Sequence, residues 1–184
     1  MISTKEKILK VSTTLFSEYG YKATSVRKIA QEVGIKQSAL YNHYKNKESI
    51  FLEVAKGIFT LPSSNNEEEL KALSINGKAY LSKFTMHYKL LTFDKNNENM
   101  FRLLMIELFT NKELRMQFME EFHQKNIKVL SEAFFIMMQN SLIRSADPMV
   151  IAYEFLSTLF YIRLQITLMR FDNESVDGLS TQFE

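Results

Sequence analysis

Apolar residues recur every three or four positions along nearly the whole chain, and this periodicity constrains the fold more than any other feature. Runs that alternate between apolar and polar residues are short, and the 184 residues contain only two prolines and five glycines. Because a period near 3.6 belongs to a helix and a period of 2 to a strand, the pattern predicts an all-α protein. With 46% apolar residues, the chain is also rich enough to bury a sizeable core.

Start and stop signals divide this periodic pattern into separate helices. Ser3-Thr4-Lys5-Glu6 is a capping box, Gly20 and Gly34 end the first two helices, and Asp147-Pro148 places an N-cap before a first-turn proline. The polar stretch 61–66 is predicted to be a connector, and the tail after Phe171 is predicted to fray. The predicted helices span about 4–20, 25–33, 37–44, 47–59, 67–92, 97–110, 112–140 and 147–171.

Charge is distributed unevenly along the chain. Residues 1–50 carry nine Lys and Arg against four Glu, whereas the remainder carries 14 Lys and Arg against 17 Asp and Glu. The net charge of +2 therefore conceals a basic N-terminal head on an acidic body. A basic head of this kind favours contact with a polyanion.

The stretch from Thr24 to Glu48 predicts two short helices joined by a glycine turn. Ile35, Leu40 and Tyr44 anchor the second helix and leave its small and polar residues exposed. Such a helix can enter the DNA major groove, where Gln and Asn pair with base edges and Ala contacts a thymine methyl group. Hydroxyls and cations around it can bind phosphates. The stretch therefore predicts a helix-turn-helix DNA-binding head.

Residues 5–55 resemble the TetR family of bacterial transcriptional regulators. The resemblance extends from Ile8-Leu9 and Leu15-Phe16 through Thr24-Ser25-Val26-Arg27 and Val33-Gly34-Ile35 to the run 40–48. It implies a helix-turn-helix domain at 1–46 and a larger helical effector-binding and dimerisation domain at 47–184, with 47–59 as the connecting helix. It further implies a homodimer on a near-palindromic operator, and a repressor that a small, lipophilic effector releases from double-stranded DNA.

The same resemblance assigns DNA-binding roles residue by residue. It places phosphate contacts at Thr24 or Ser25 and at Lys47, and backbone contacts at Tyr41 and His43. The positions that read bases are Gln37, Ser38, Ala39 and Asn42. Lys36 departs from the Ser or Thr that the family usually has after the turn. A lysine side chain cannot cap a helix N-terminus, but it can reach a phosphate.

Residues 61–184 hold 12 of the 15 phenylalanines and 9 of the 10 methionines. These residues suit an ordinary core and dimer interface, and equally an adaptable pocket for a lipophilic ligand. Analogy with the family places such a pocket among helices 67–140 and the dimer interface on helices 112–140 and 147–171. The candidate pocket residues are His87, Tyr88, Met105, Phe109 and Phe122.

Other classes of protein find little support in the sequence. There is no Ser/His/Asp constellation, no phosphate-binding glycine loop and no HExxH, so we expect neither an enzyme nor a cofactor. His87 and His123 lie too far apart to suggest a metal site, and the absence of cysteine fits a cytoplasmic protein. The apolar stretch 149–169 contains Glu154 and Arg163, so we interpret it as a core or interface helix and not a membrane span. The alternative function is a ligand-sensing or interaction protein of the same fold without effector-controlled DNA release.

Overall fold

The computed structural model describes residues 2–59, 72 and 75–183, and in these ranges the regular structure is helical throughout. Predicted features at 60–71, 73 and 74, among them the connector and the start of the helix at 67, lie outside the described residues. The helices are α1 (Thr4–Ala23), α2 (Val26–Val33), α3 (Gln37–Tyr41), α4 (Lys47–Phe59), α5 (Gly77–Phe93), α6 (Lys95–Leu108), α7 (Lys112–Gln117), a π-helix (Phe118–Gln124), α8 (Lys125–Gln139), α9 (Pro148–Phe171) and a 3₁₀ helix (Leu179–Phe183). The all-α prediction is confirmed.

The chain forms two compact units. The first combines Met1–Phe59 with Lys95–Phe118, and the second combines Thr60–Asp94 with Met119–Glu184. In the first unit, α6 packs on both α1 and α4, and α7 packs on α4. Helix α4 is also in contact with α1. The predicted domain boundary between residues 46 and 47 therefore falls inside this unit.

The core of the first unit follows from the apolar face of each short helix. The fully buried apolar residues of α1 to α4 include Ile8, Phe16, Ile29, Leu40, Ile50 and Phe51. The rings of Phe16 and Phe51 meet edge to face with their centroids 5.3 Å apart, a favourable geometry for an aromatic pair. At the start of α1, the Ser3 Oγ accepts a hydrogen bond from the Glu6 N–H, and Glu6 accepts one from the Ser3 N–H. The predicted capping box is thus confirmed.

The first helix departs from prediction near its end. It continues to Ala23, and Gly20 is a kink with a φ of 81° instead of the end of the helix. Only glycine adopts this conformation without strain. Tyr19, one residue before the kink, is exposed, and the Lys28 ammonium lies 3.3 Å from the centroid of its ring. This is a cation–π contact on the surface of the head.

The second unit is built mainly from α5, α8 and α9, with α8 and α9 packed along each other. Its buried core includes Tyr80, Phe84, Leu130, Phe134 and Leu156. The single helix predicted at 112–140 is wrong in one respect: a π-helix at Phe118–Gln124 separates α7 from α8. Such widened turns break the i, i+4 ladder locally, and the 3.6-residue periodicity does not reveal them.

The tail after Phe171 also differs from prediction. It ends in the 3₁₀ helix, and the Phe183 side chain is buried with its ring centroid 6.1 Å from that of Phe93 and 6.4 Å from that of Tyr88. A single aromatic residue in a polar tail thus supplies enough apolar surface to dock it.

In the described part of the chain, α9 is the one helix long and apolar enough to span a membrane, judged by length and composition alone. A third of its most apolar window is buried against the rest of the protein. Arg163 lies in the middle of this helix and is almost fully buried. A charged residue packed into the protein interior is typical of a core helix and is rare on a face exposed to lipid.

Candidate nucleic-acid interface

The N-terminus of α2 is organised by two adjacent hydroxyl residues with different roles. Ser25 is the N-cap: its Oγ accepts a hydrogen bond of 3.1 Å from the Lys28 N–H, and its side chain is exposed. Thr24 is 1% exposed, and its hydroxyl donates to the Gly20 carbonyl at 2.9 Å and lies 3.1 Å from that of Leu15. We therefore correct the expected phosphate contact of Thr24 to a structural role, and Ser25 stays the candidate.

The turn between α2 and α3 depends on Gly34. This residue has a φ of 78° and a ψ of 31°, and its N–H donates to the carbonyls that end α2. The left-handed conformation closes the helix and reverses the chain within three residues. Lys36 then precedes α3 without a side-chain capping bond, as expected for lysine, and its side chain is exposed.

Helix α3 presents a polar face to solvent around one buried anchor. Leu40 is fully buried, and Tyr44, just after the helix, is also buried. The predicted helix end at residue 44 is replaced by an end at Tyr41. Five of the six predicted base-reading and backbone-contacting positions around Leu40 are exposed, and Ala39 is half-buried. The exposed five are Gln37, Ser38, Tyr41, Asn42 and His43.

Two further contacts arrange this face. The Gln37 amide donates a hydrogen bond of 3.4 Å to the Tyr41 hydroxyl one turn later, so these two side chains lie together. His43 follows the helix and is exposed. Arg27, Lys36 and Gln37 line a surface cleft of about 430 Å³ between α2 and the start of α3. Cations on both sides of a cleft next to α3 suit a phosphate backbone on either side of a base-reading helix.

Lys47 opens α4 and connects it to the α1–α2 corner. Its ammonium donates to the carbonyls of Tyr21 at 2.8 Å and Thr24 at 3.0 Å, and it lies 4.2 Å from the centroid of the Tyr21 ring. Burial lowers the pKa of this ammonium, and the carboxylate of Glu107 acts weakly in the opposite direction. An ammonium has three donors, so two hold the corner in place and one can reach a phosphate.

The five predicted pocket residues are divided between the two units. Met105 and Phe109 lie on or just after α6 in the first unit, and Phe109 is 89% exposed. In the second unit, Tyr88 and Phe122 are buried in the core and His87 is half-buried. Burial lowers the pKa of His87 and raises that of Tyr88 to about 12.

The second unit instead contains a groove of about 930 Å³ that sequence reasoning missed. It runs along one face of α5, and none of the five predicted residues lines it. One sequence signal could have indicated it, namely the spacing of Lys78, Leu81, Ser82, Thr85 and Lys89, which places all five on one helical stripe.

A buried anchor, a left-handed glycine turn and a short exposed polar helix define a helix-turn-helix DNA-binding protein. Residues 8–54 match the family model described as bacterial regulatory proteins, tetR family. Residues 8–54 thus form a DNA-binding domain of the TetR type.

Related proteins and structures agree with this assignment. The chain is 44% identical over 55 residues to IcaR of Staphylococcus epidermidis, the negative transcriptional regulator of a biofilm operon, with 30% of each protein covered. The matches to curated relatives, all confined to short stretches, span about a quarter to a third of those relatives' lengths.

Among solved structures, SmeT, the repressor of the Stenotrophomonas maltophilia multidrug efflux pump SmeDEF, matches with a TM-score of 0.72 and 18% identity, covering 98% of this chain and 85% of SmeT. AibR in complex with isovaleryl coenzyme A and operator DNA matches with a TM-score of 0.60 and 24% identity over 91% of this chain and 96% of AibR. At these identities, the likeness establishes the fold.

Proposed function

We propose that the protein is a sequence-specific DNA-binding transcriptional regulator, and that it acts as a repressor. The observation that carries this proposal is the exposed polar face of α3 around buried Leu40, flanked by the cations of Arg27 and Lys36. Gln37 and Asn42 can read base edges there, while Ser25 and Lys47 can bind phosphates. IcaR, a negative regulator similar in this region, supports repression over activation.

The proposed regulator works as a homodimer, because one recognition helix reads too little DNA to be selective. The outer face of α9 carries a stripe of exposed apolar side chains at helical spacing: Val150, Tyr153, Tyr161, Leu168 and Phe171. Exposed apolar area of this kind is typical of a protein–protein interface. Pairing through α8 and α9 would form a four-helix bundle and place two copies of α3 about 34–36 Å apart, one turn of DNA.

A small effector completes the proposed mechanism. AibR was solved with isovaleryl coenzyme A and operator DNA, which supports the idea that a protein of this fold can respond to a small molecule. The effector must bind the DNA-incompetent conformation more tightly, because equal affinity for both conformations shifts no equilibrium. A cytoplasmic location follows from this proposal, since the operator lies in the cytoplasm.

Selection of bound duplexes from a random DNA library, followed by fluorescence anisotropy, tests the proposal. We expect a near-palindromic consensus, and we expect Asn42→Ala to lose about 1–3 kcal/mol of discrimination at one base pair of each half-site. Asn96→Ala, at an exposed position on α6 outside the proposed interfaces, is the matched control and should bind like the unmodified protein. A protein that selects no consensus at low salt would contradict the proposal and favour the ligand-sensing alternative.

A further inference from the structure

The groove in the second unit lies between the exposed side of α5 and residues from three other segments. Its apolar wall comes from α8, from the turn that follows it, from α9 and from the 3₁₀ helix, through Met137, Leu142, Ile143, Phe155 and Phe183. A second cavity of about 470 Å³ shares Thr85, Phe155 and Phe183 with it. Each of the two cavities has a volume in the range of small-molecule sites, and the smaller one is also lined by Glu154.

Polar groups in the groove are arranged along a single stripe of α5. Lys78 and Lys89 stand at its two ends, about 16 Å apart along the helix at 1.5 Å per residue. Between them lie Leu81, Ser82 and Thr85. The described lining of this groove contains two lysines and no carboxylate. The groove therefore carries Lys78 at one end and is mostly apolar along its wall.

The apolar wall can also adapt to its occupant. Met137, on α8, is unbranched and flexible, and its sulfur would lie 3.0 Å from a β-carbon added to Gly77. The absence of that β-carbon lets α5 and α8 approach closely at one end of the groove. Phe183 borders both cavities from a five-residue 3₁₀ helix. A wall made of a flexible thioether and a docked aromatic ring can fit an alkyl chain.

We propose that this groove binds an amphipathic anion, with its alkyl or acyl chain along Leu81 and Phe155 and its carboxylate or phosphate paired with Lys78. The assignment of this molecule as the effector depends on the proposed function, whereas its binding does not. A cationic amphiphile is disfavoured by charge, because it would bring a like charge next to Lys78 in a partly apolar groove. Free fatty acids and acyl-coenzyme A share the required chemistry.

Isothermal titration calorimetry on the full chain, without DNA, tests the binding. The probes are dodecanoate, lauroyl-coenzyme A, coenzyme A alone, dodecanol and dodecyltrimethylammonium, each below its micellar concentration. We expect at least one of the two anionic acyl probes to bind at least about tenfold more tightly than dodecyltrimethylammonium. One charge-assisted hydrogen bond provides a difference in affinity of this size. The two acyl probes distinguish a free acid from a thioester. Binding of neither, or tighter binding of the cation, overturns the proposal.

Two variants locate the bound molecule. Lys78→Glu should weaken the binding of the anionic probe about tenfold or more. Ser82→Phe should block the groove from its exposed side without removing core volume. Lys10→Glu, at an exposed position on α1 and outside the groove, is the matched control and should leave the affinity for the probe unchanged. An anion that binds equally well to all three variants overturns the site.

DNA anisotropy with the same probes separates this proposal from the proposed function. If a probe binds the groove but does not release DNA from a head that binds DNA, the molecule is not the effector, and the proposed binding site still stands. A head that binds no DNA overturns the proposed function, whereas the calorimetric result for the groove stands by itself.

Discussion

Single residues in the head make structural contacts at positions where the sequence predicts contacts with DNA. Thr24 uses its hydroxyl to join the start of α2 to the end of α1, and exposed Ser25 next to it caps α2. Lys47 uses two of its three donors on the carbonyls of Tyr21 and Thr24. The geometry of the corner therefore accounts for Thr24 in the motif, and it gives Lys47 a structural role beside its predicted phosphate contact.

Lys47→Met should weaken two properties at once. The change removes two hydrogen bonds to backbone carbonyls, and water can partly replace those bonds. We therefore expect the free energy of unfolding to fall by about 1 kcal/mol. Loss of a phosphate contact should also weaken DNA binding uniformly across sequences and reduce the slope of log affinity against log salt by about 1. Thermal unfolding and anisotropy at several salt concentrations measure the two effects separately.

Lys45→Met is the matched control for this change, because Lys45 is exposed two residues away and belongs to no described contact of the corner. It should leave the unfolding temperature unchanged. If Lys47→Met lowers stability but leaves the salt slope unchanged, the residue has the positioning role alone.

At the scale of elements, one glycine is required by its backbone conformation and another is not. Gly34 has a positive φ, and a β-carbon added there would meet nothing within 4 Å, so its requirement is conformational and not steric. Gly57 lies within α4, where an added β-carbon also meets nothing within 4 Å. The turn needs glycine, whereas the helix merely tolerates it.

Gly34→Ala and Gly57→Ala should therefore shift stability in opposite directions. The first is expected to destabilise by about 1–2 kcal/mol, since an L-residue is strained in the left-handed region. The second is expected to stabilise by about 1 kcal/mol, since alanine is the better helix former. Urea titration followed by circular dichroism measures both changes, and shifts of the same sign would contradict this account of the turn.

At the scale of the whole molecule, the distribution of exposed apolar residues predicts assembly. The α9 stripe includes Tyr161 at 64% and Leu168 at 57% exposure, one above the other on the helix face. Isolated apolar residues are common on surfaces, but a continuous stripe along a 24-residue helix is not. This surface is the one that we propose to pair in the homodimer.

Leu168→Glu should shift the protein from dimer to monomer, because two buried and unpaired carboxylates near a two-fold axis are costly. Light scattering coupled to size-exclusion chromatography measures the mass, and operator affinity should fall with it. Phe109→Glu introduces the same charge at a more exposed apolar position in the first unit and should stay dimeric. A Leu168→Glu protein of unchanged mass and DNA affinity would place the interface elsewhere.

Local signals accounted for much of the fold and for the surface of the head. The capping box at Ser3, the turn at Gly34 and the start of α9 at Asp147-Pro148 were predictable because each depends on hydrogen bonds and backbone conformations within a few residues. The exposure of Gln37 and Asn42 was predictable as well, since it follows from the helical spacing around Leu40.

The remaining features depend on contacts between residues far apart in the chain. The burial of Thr24, the packing of α6 on α1, the docking of Phe183 and the groove along α5 have no local signature. The sequence by itself thus determined that the chain is helical, that its head carries a helix-turn-helix and which residues of α3 face outward. Only the tertiary structure decided which hydroxyl, lysine and aromatic residues are buried, because burial depends on which helix faces are packed together.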